Sequence, residues 1–196
     1  MTEAQGVAFF DTAIGLCGIA WSTRGIVGVQ LPERSEAATR ERLLRRFPAV
    51  GEAVPSRAVR QTIDAITALL SGEATDLTAA ALDLGIVPQF HQRVYEVARS
   101  IPAGSTLSYG EIAARLGDKG LARDVGKAMG ENPWPIIVPC HRVLAAHGSP
   151  GGFSAAGGVT TKLRLLNIER AQPGEAPTLF ADLPLHVRPE RSPGRR

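Results

Sequence analysis

Residues 132–143 read NPWPIIVPCHRV, and this stretch constrains the fold more than any other part of the chain. Its prolines at 133, 135 and 139 fix their own φ angles and disfavour a helical conformation of the residues before them. The stretch is therefore predicted to be stiff and non-helical up to Cys140. A reactive side chain at that position would be held in place before any substrate arrives.

Cys140 is a candidate nucleophile whose reactivity depends on ionisation. A thiol with an ordinary pKa of about 8.5 is only slightly ionised at pH 7, so something must stabilise its anion. His141 is the adjacent candidate base, and Glu169 could orient the imidazole, as in relays of nucleophile, base and orienting acid. Because neighbouring side chains rarely point at one spot, contact through a water is expected. We expect the sulfur to rest as an anion beside open space.

Other interpretations of these residues remain open at this point. An isolated cysteine in an apolar run is most often a buried structural residue. A metal site is a poorer interpretation, because Cys140 and His141 have no second pair at ligand spacing. The residues alone therefore leave both a nucleophile and a structural cysteine possible.

Upstream of this stretch, two short helices are predicted. In LSYGEIAARLG (residues 107–117), Ser108 and Glu111 have capping-box spacing and Gly117 ends the pattern. In LARDVGKAMGEN (residues 121–132), Leu121, Val125 and Met129 share one side of a helix and Arg123 and Lys127 another. Two short helices joined by a tight turn predict a helix-turn-helix, which by itself is only weak support for DNA binding.

The amino-terminal part has a different pattern. Its first 31 residues alternate apolar, β-favouring stretches with breaks such as STRG, which predicts an antiparallel meander. Helices are predicted over residues 35–47 and 56–70, so that a compact α/β layer ends near residue 80. A further helix should begin at Pro88, with its inner side made by Phe90, Val94, Val97, Ala98 and Ile101.

Composition restricts the class of protein. The net charge is only +3, and the surplus lies in residues 81–172, where 10 Lys and Arg face 7 Asp and Glu. That fits a nucleic-acid face but is weak support for one. Only Cys17 and Cys140 are present, without a CxxC or a secretory pattern, so a reducing cytoplasm is expected. The sequence has no apolar run of about 18 residues, which argues against a membrane span.

The motifs resemble those of the O6-alkylguanine-DNA alkyltransferases, also called methylated-DNA-protein-cysteine methyltransferases. The resemblance rests on PCHRV after NPxP, on the GGF that follows, on KxxLLxxE, and on the upstream SYGEIA and AR-V-G-AM-NP block. It covers roughly residues 88–170 with several motifs in order. The amino-terminal part is similar only in general character.

The resemblance implies a role for each matching position. Cys140 would accept the alkyl group, His141 would be the water-linked base, and Glu169 its orienting partner. Asn132 would fix the active-site turn, and Tyr109 would lie beside the phosphate of the flipped nucleotide and the substrate oxygen. The second helix would lie in the minor groove of DNA, where Arg123 enters the base stack. The DNA-binding residues implied are Tyr109, Ala122, Arg123, Lys127 and Ser154.

Two departures from the family pattern concern the pocket. Phe153 stands where a tyrosine is more usual, and the loop SAAGGVTTK (residues 154–162) has about two extra residues. Both bear on substrate range rather than on the nucleophile. The zinc site of some relatives cannot be built, because Cys17 has no companions.

The sequence thus predicts an α/β fold: an amino-terminal α/β domain with an antiparallel sheet over residues 1–80, and a mainly helical, winged helix-turn-helix-like domain over residues 85–171. A Pro/Arg-rich tail is expected over residues 172–196. The predicted function is single-turnover repair of O6-alkylguanine, and also O4-alkylthymine, in double-stranded DNA by a cytoplasmic monomer without cofactor or metal. The rivals are a non-enzymatic damage sensor, a helix-turn-helix transcription factor with a structural cysteine and, more distantly, a cysteine hydrolase.

Overall fold

A computed structural model describes residues 4–171. Its first element is a three-stranded antiparallel sheet in the order β1-β2-β3, which confirms the predicted meander. The STRG turn joins β2 to β3, and Gly25 is required there because a Cβ would lie 2.6 Å from the carbonyl oxygen of Ala81. The strands are β1 (Gly6–Thr12), β2 (Gly15–Ser22) and β3 (Gly25–Gln30).

Backbone hydrogen bonds from other segments reach both outer edges of this sheet. On the β1 side, Val7 donates to Gly51 and accepts from Ala53. On the β3 side, the amide of Ile26 donates to Ala81 and its carbonyl accepts from the amide of Asp83. Short segments of chain therefore pair with the strands that would otherwise be open.

Two helices follow within the predicted ranges, α1 (Glu36–Arg46) and α2 (Arg57–Leu70). Each begins with a serine whose side chain accepts a hydrogen bond from a backbone amide of the first turn. The alternation of side chains along the strands divides the sheet between two clusters. Leu43 of α1 packs on one face, whereas α2 joins the main core on the other.

Helix α3 (Gln89–Arg99) packs with the predicted residues against the core, and His91 and Tyr95 extend its inner face. Its buried residues are His91, Val94, Tyr95 and Ala98, whereas Phe90 and Val97 are half-buried and Ile101 lies beyond the helix end. His91 and Tyr95 were not predicted to be buried, because the polar end of each side chain hides how much of its ring is apolar. The Tyr95 hydroxyl is buried and donates to the carbonyl of Ala128 at 2.8 Å.

The helix-turn-helix is present as α4 and α5, after the short strand β4. The capping box of Ser108 and Glu111 is formed, and Gly117 has the left-handed φ of 101° that ends the first helix. An unpredicted two-residue strand, β5, pairs in parallel with β4 and brings the segment after Cys140 beside this unit. The bounds are β4 (Leu107–Ser108), α4 (Tyr109–Arg115), α5 (Ala122–Gly130), β5 (Val143–Leu144) and α6 (Val159–Ile168).

One hydrophobic cluster joins the sheet, α2 and the helical part, from Cys17 and Ile19 to Trp134 and Leu165. The overall class, an antiparallel sheet followed by a mainly helical part, is confirmed. The division into domains 1–80 and 85–171 stays a prediction, and the predicted tail, residues 172–196, lies outside the described residues. Among residues 4–171, none of the helices is long and apolar enough to cross a bilayer.

Candidate active site

Cys140 opens a 3-10 turn, Cys140–Arg142, directly after the proline-rich stretch. Its backbone amide donates to the carbonyl of Val138 at 2.8 Å. The Asn132 side chain donates to the same carbonyl at 2.8 Å and accepts from the backbone amide of Trp134 at 2.9 Å. Asn132 therefore ties both ends of the segment before the cysteine, which is the geometry that its implied role requires.

Within that segment, Ile136 has a φ of 75°. A β-branched residue in the left-handed region is strained by about 1–3 kcal/mol and persists only where its surroundings enforce it. Ile136 is only 1% exposed, so packing surrounds it. The turn that carries Cys140 is thus held in a conformation that the isolated chain would avoid.

His141 and Glu169 meet as predicted. The His141 Nε2 lies 2.9 Å from Glu169 Oε1, and the imidazole is fully buried. Because a carboxylate only accepts hydrogen bonds, Nε2 carries the proton and Nδ1 presents a lone pair. Burial lowers the pKa of His141 in spite of Glu169, so the ring is neutral at pH 7. His141 Nδ1 is buried without a hydrogen-bond partner among residues 4–171, and it is free to accept a proton.

Arg142 had no predicted role, yet its guanidinium completes this arrangement. Its Nε donates to Glu169 Oε2 at 2.8 Å, and a terminal nitrogen donates to Oε1 at 2.9 Å. Another nitrogen donates to the carbonyl of Ile101 at 2.5 Å. Burial raises the pKa of Glu169, but the hydrogen bonds from His141 and Arg142 outweigh it and lower that pKa to about 2. Glu169 therefore stays ionised while it orients the imidazole.

The state of the Cys140 sulfur corrects one expectation. The residue is only 7% exposed, and burial raises the pKa of its thiol. The Asn132 side chain, the charge of Lys162 and two backbone amides oppose that rise without cancelling it. The raised pKa favours the thiol over the expected anion at neutral pH, so the proton must leave when the reaction begins.

Lys162 of α6 is a second functional candidate without a predicted role. Its side chain is fully buried and donates to the carbonyl of Val143 at 2.5 Å. Burial lowers the pKa of Lys162 to about 8, and the thiolate of Cys140 would raise it. One feature of the sequence could have indicated that Lys162 is buried: it lies on the same helical face as Leu165 and Leu166. Such a cation stabilises negative charge that develops nearby.

Lys162→Met is expected to slow reaction of Cys140 with iodoacetamide below pH 8, because the charge that favours the thiolate is lost. The apparent pKa of labelling should rise by about one unit, equivalent to ~1.4 kcal/mol. The rate at each pH is measured from the mass of the peptide holding Cys140. Lys119→Met, at an exposed position, is the control and should label like the original protein. Equal pH profiles for both variants would rule out this role of Lys162.

Tyr109, at the start of α4, lies near both Lys162 and Cys140. Its ring centre is 6.0 Å from Lys162 Nζ. Burial raises the pKa of the Tyr109 phenol, and a thiolate at Cys140 would raise it further, so the phenol stays protonated at rest. Gly151, with a φ of 64°, lies so close that a Cβ would be 3.4 Å from the hydroxyl. Phe153 packs half-buried against the core beyond it.

The remaining predicted residues lie on exposed surface. Arg123 and Lys127 project from α5, Ala122 is half-buried at its start, and Ser154 is exposed in the loop before α6. Arg123 forms no ion pair with any residue in the part of the chain that the structure describes. The opposite face of α5 packs into the core through Val125, Ala128 and Met129.

Cys17 does not compete for the chemistry. It is buried in β2, and burial raises the pKa of its thiol to about 11. Across residues 4–171, histidine, cysteine and acidic side chains form no group of three that could hold a metal ion. Of the two cysteines, only Cys140 directly precedes the His141–Glu169 pair.

The chain is similar to known proteins in both sequence and fold. Residues 89–171 match the family described as 6-O-methylguanine DNA methyltransferase, DNA binding domain. A methylated-DNA–protein-cysteine methyltransferase of Methanothermobacter thermautotrophicus is 35% identical over 152 residues, which is 78% of each chain. A Mycobacterium leprae protein of the same name is 43% identical over 67% of this chain and 77% of its own.

Among solved structures, Mycobacterium tuberculosis OGT in complex with DNA superposes with a TM-score of 0.66 at 32% identity. The match covers 84% of this chain and 92% of that one. Both parts of the fold are therefore shared, and not only the helix-turn-helix. The chain belongs to the methylated-DNA–protein-cysteine methyltransferase family.

Proposed function

We propose that this protein repairs DNA by moving a methyl or other alkyl group from O6 of guanine, or O4 of thymine, onto Cys140. The observation that carries the proposal is the buried His141–Glu169 pair directly after Cys140, in which His141 Nδ1 has no hydrogen-bond partner among residues 4–171. The test is whether the peptide holding Cys140 gains one methyl group from a duplex that contains O6-methylguanine.

Each residue has a separate role in the proposed reaction. The thiol proton of Cys140 passes through a water to His141 Nδ1, and Glu169 stabilises the imidazolium that forms. The sulfur attacks the alkyl carbon, the S–C bond forms, and the bond from that carbon to O6 breaks. The departing guanine takes a proton from the Tyr109 hydroxyl, and Tyr109 regains a proton through solvent as the imidazolium of His141 releases the one that came from Cys140. Because the thioether has no leaving group under these conditions, each molecule acts once.

Double-stranded DNA is the proposed partner, bound through α5. Phosphate contacts from Lys127 would supply affinity in any sequence, as a search for lesions requires. The alkylated base must leave the stack to reach a buried sulfur, and extrusion is easiest where pairing is already poor. Arg123 would fill the space that the base vacates, and Ser154 would contact the extruded base. We propose a monomer that acts in the cytoplasm without a cofactor.

Arg123→Ala is expected to slow repair of the duplex by roughly tenfold or more, because extrusion costs a few kcal/mol that an inserted side chain offsets. Reaction with free O6-benzylguanine, which needs no extrusion, should keep its rate. Single-turnover rates with both substrates provide the measurement. Lys127→Ala is the contrast: it should weaken DNA binding but leave the rate at saturation unchanged. Equal slowing with both substrates would show that Arg123 does not act on the base stack.

The rivals predict different outcomes. A damage sensor of this scaffold would bind the lesion and leave Cys140 unmodified. A transcription factor would prefer one DNA sequence. A cysteine hydrolase would turn over many times, whereas the proposed reaction stops at one alkyl group for each protein molecule.

A further inference from the structure

Trp134 uses every polar group it has to join the cysteine-bearing segment to the rest of the protein. Its indole Nε1 donates to the carbonyl of Ile26 in β3 at 2.7 Å. Its backbone amide donates to the Asn132 side chain at 2.9 Å, and its carbonyl accepts from the amide of Val138 at 2.8 Å. The side chain is fully buried.

These bonds lead to Cys140 in two steps. The amide of Val138 donates to the carbonyl of Trp134, and the carbonyl of Val138 accepts a hydrogen bond from the amide of Cys140 at 2.8 Å. Between Trp134 and Val138 lies the strained Ile136. A strained φ relaxes when the groups that enforce it are removed. Relaxation at Ile136 would move Val138, and with it the sulfur.

The other side of Trp134 faces the DNA-binding unit. Its ring meets Tyr95 edge to face, with the centroids 5.8 Å apart. The Tyr95 hydroxyl donates to the carbonyl of Ala128 in α5. Next to Trp134, the carbonyl of Pro133 accepts from the amide of Val29 at 2.9 Å, which adds a second bond to β3. The indole thus lies between β3 at the sheet edge, α3 and the turn that carries Cys140.

We propose that Trp134 is a positioning residue for alkyl transfer: its indole N–H, anchored on β3, maintains the strained turn that aims the Cys140 sulfur. The inference rests on the proposed function, because its main measurement is the rate of alkyl transfer. It assigns the amino-terminal sheet a part in catalysis, because the anchoring carbonyl belongs to β3. Ile26 keeps a hydrogen bond from Asp83 when the indole is removed, so folding does not depend on this bond alone.

The test compares Trp134→Phe with Trp21→Phe. The chain has these two tryptophans only, and both are buried in the same cluster. Trp21, however, has no hydrogen bond toward the cysteine turn among the described residues. Three quantities are measured for each: the single-turnover rate with saturating O6-methylguanine duplex, the dissociation constant for that duplex, and the rate of Cys140 labelling by iodoacetamide across pH without DNA.

Trp134→Phe should slow alkyl transfer roughly tenfold, less than the hundredfold that a misplacement of about 1 Å can cost. The rate of Cys140 labelling by iodoacetamide should also change, whereas the dissociation constant for the duplex should not. Trp21→Phe should resemble the original protein in all three measurements. Equal slowing in the two variants, or an unchanged Trp134→Phe, would overturn the proposal. If Trp134→Phe fails to fold, a benzothienylalanine at 134, which replaces N–H by sulfur in the same ring shape, gives the same comparison.

The labelling measurement separates the two proposals. If the original protein takes no alkyl group from DNA, the proposed function fails, yet labelling still shows whether Trp134 positions the sulfur. If the original protein repairs DNA and both measurements are unaffected by Trp134→Phe, only the positioning role fails.

Discussion

Cys140→Ser is expected to abolish alkyl transfer while DNA binding persists. A hydroxyl is far less acidic than a thiol and a poorer nucleophile, so the neutral His141 cannot generate a competent anion from it. The change is nearly isosteric at a residue that is 7% exposed, and the fold should tolerate it. The measurement is peptide mass after incubation with a duplex containing O6-methylguanine, in which only the original protein should gain one methyl on the peptide holding Cys140.

The matched control is Cys17→Ser, which changes the other thiol of the chain. That variant should accept the methyl group on Cys140 as the original protein does, since Cys17 is fully buried in β2 and is not part of the Cys140–Arg142 turn. A methyl group found on Cys17, or none on either residue, would contradict the assignment. Loss of DNA binding by a folded Cys140→Ser would show instead that the cysteine is structural.

Glu169→Gln is expected to destabilise the protein by about 3–5 kcal/mol, the usual effect of removing one partner from a buried ion pair. The Glu169 and Arg142 side chains are 3% and 7% exposed, so water cannot replace the lost carboxylate. Transfer should also slow strongly at temperatures where the variant is folded, because the imidazolium of His141 loses its counter-charge. Urea unfolding gives the stability, and single-turnover assays give the rate.

Glu41→Gln serves as the comparison, since its ion pair with Arg45 has both side chains more than two-thirds exposed. Exposed pairs contribute little, so this variant should unfold like the original protein. Similar stability of the two variants would mean that the buried ion pair does not hold the site together. A destabilised Glu169→Gln that transfers at the normal rate would remove Glu169 from the relay but leave its structural role.

Much of the fold was predictable because its signals are local. Ser108 and Glu111 are three residues apart, and the capping box that they form depends on that spacing alone. The meander could be predicted from alternation and from the STRG turn. The pair of two-residue strands could not, because the pairing of Leu107 with Val143 is parallel, joins distant segments and has no periodicity of its own.

The candidate site divides in the same way. Cys140, His141 and Asn132 lie in one short stretch, and the family resemblance extended the prediction to Glu169. Arg142 and Lys162 were missed because buried charges are identified by their partners, which are far away in sequence. The resting thiol was missed for a related reason, since the pKa of Cys140 depends on burial that no local pattern reveals.

The covered sheet edges have a consequence outside the reaction. Unpaired strands can recruit strands from other molecules, which is a common beginning of aggregation. In this protein the backbone of Val7 is already bonded to residues 51 and 53, and that of Ile26 to residues 81 and 83. A second molecule that paired at these positions would first have to displace those segments, so the bonds oppose self-templated assembly of the sheet there.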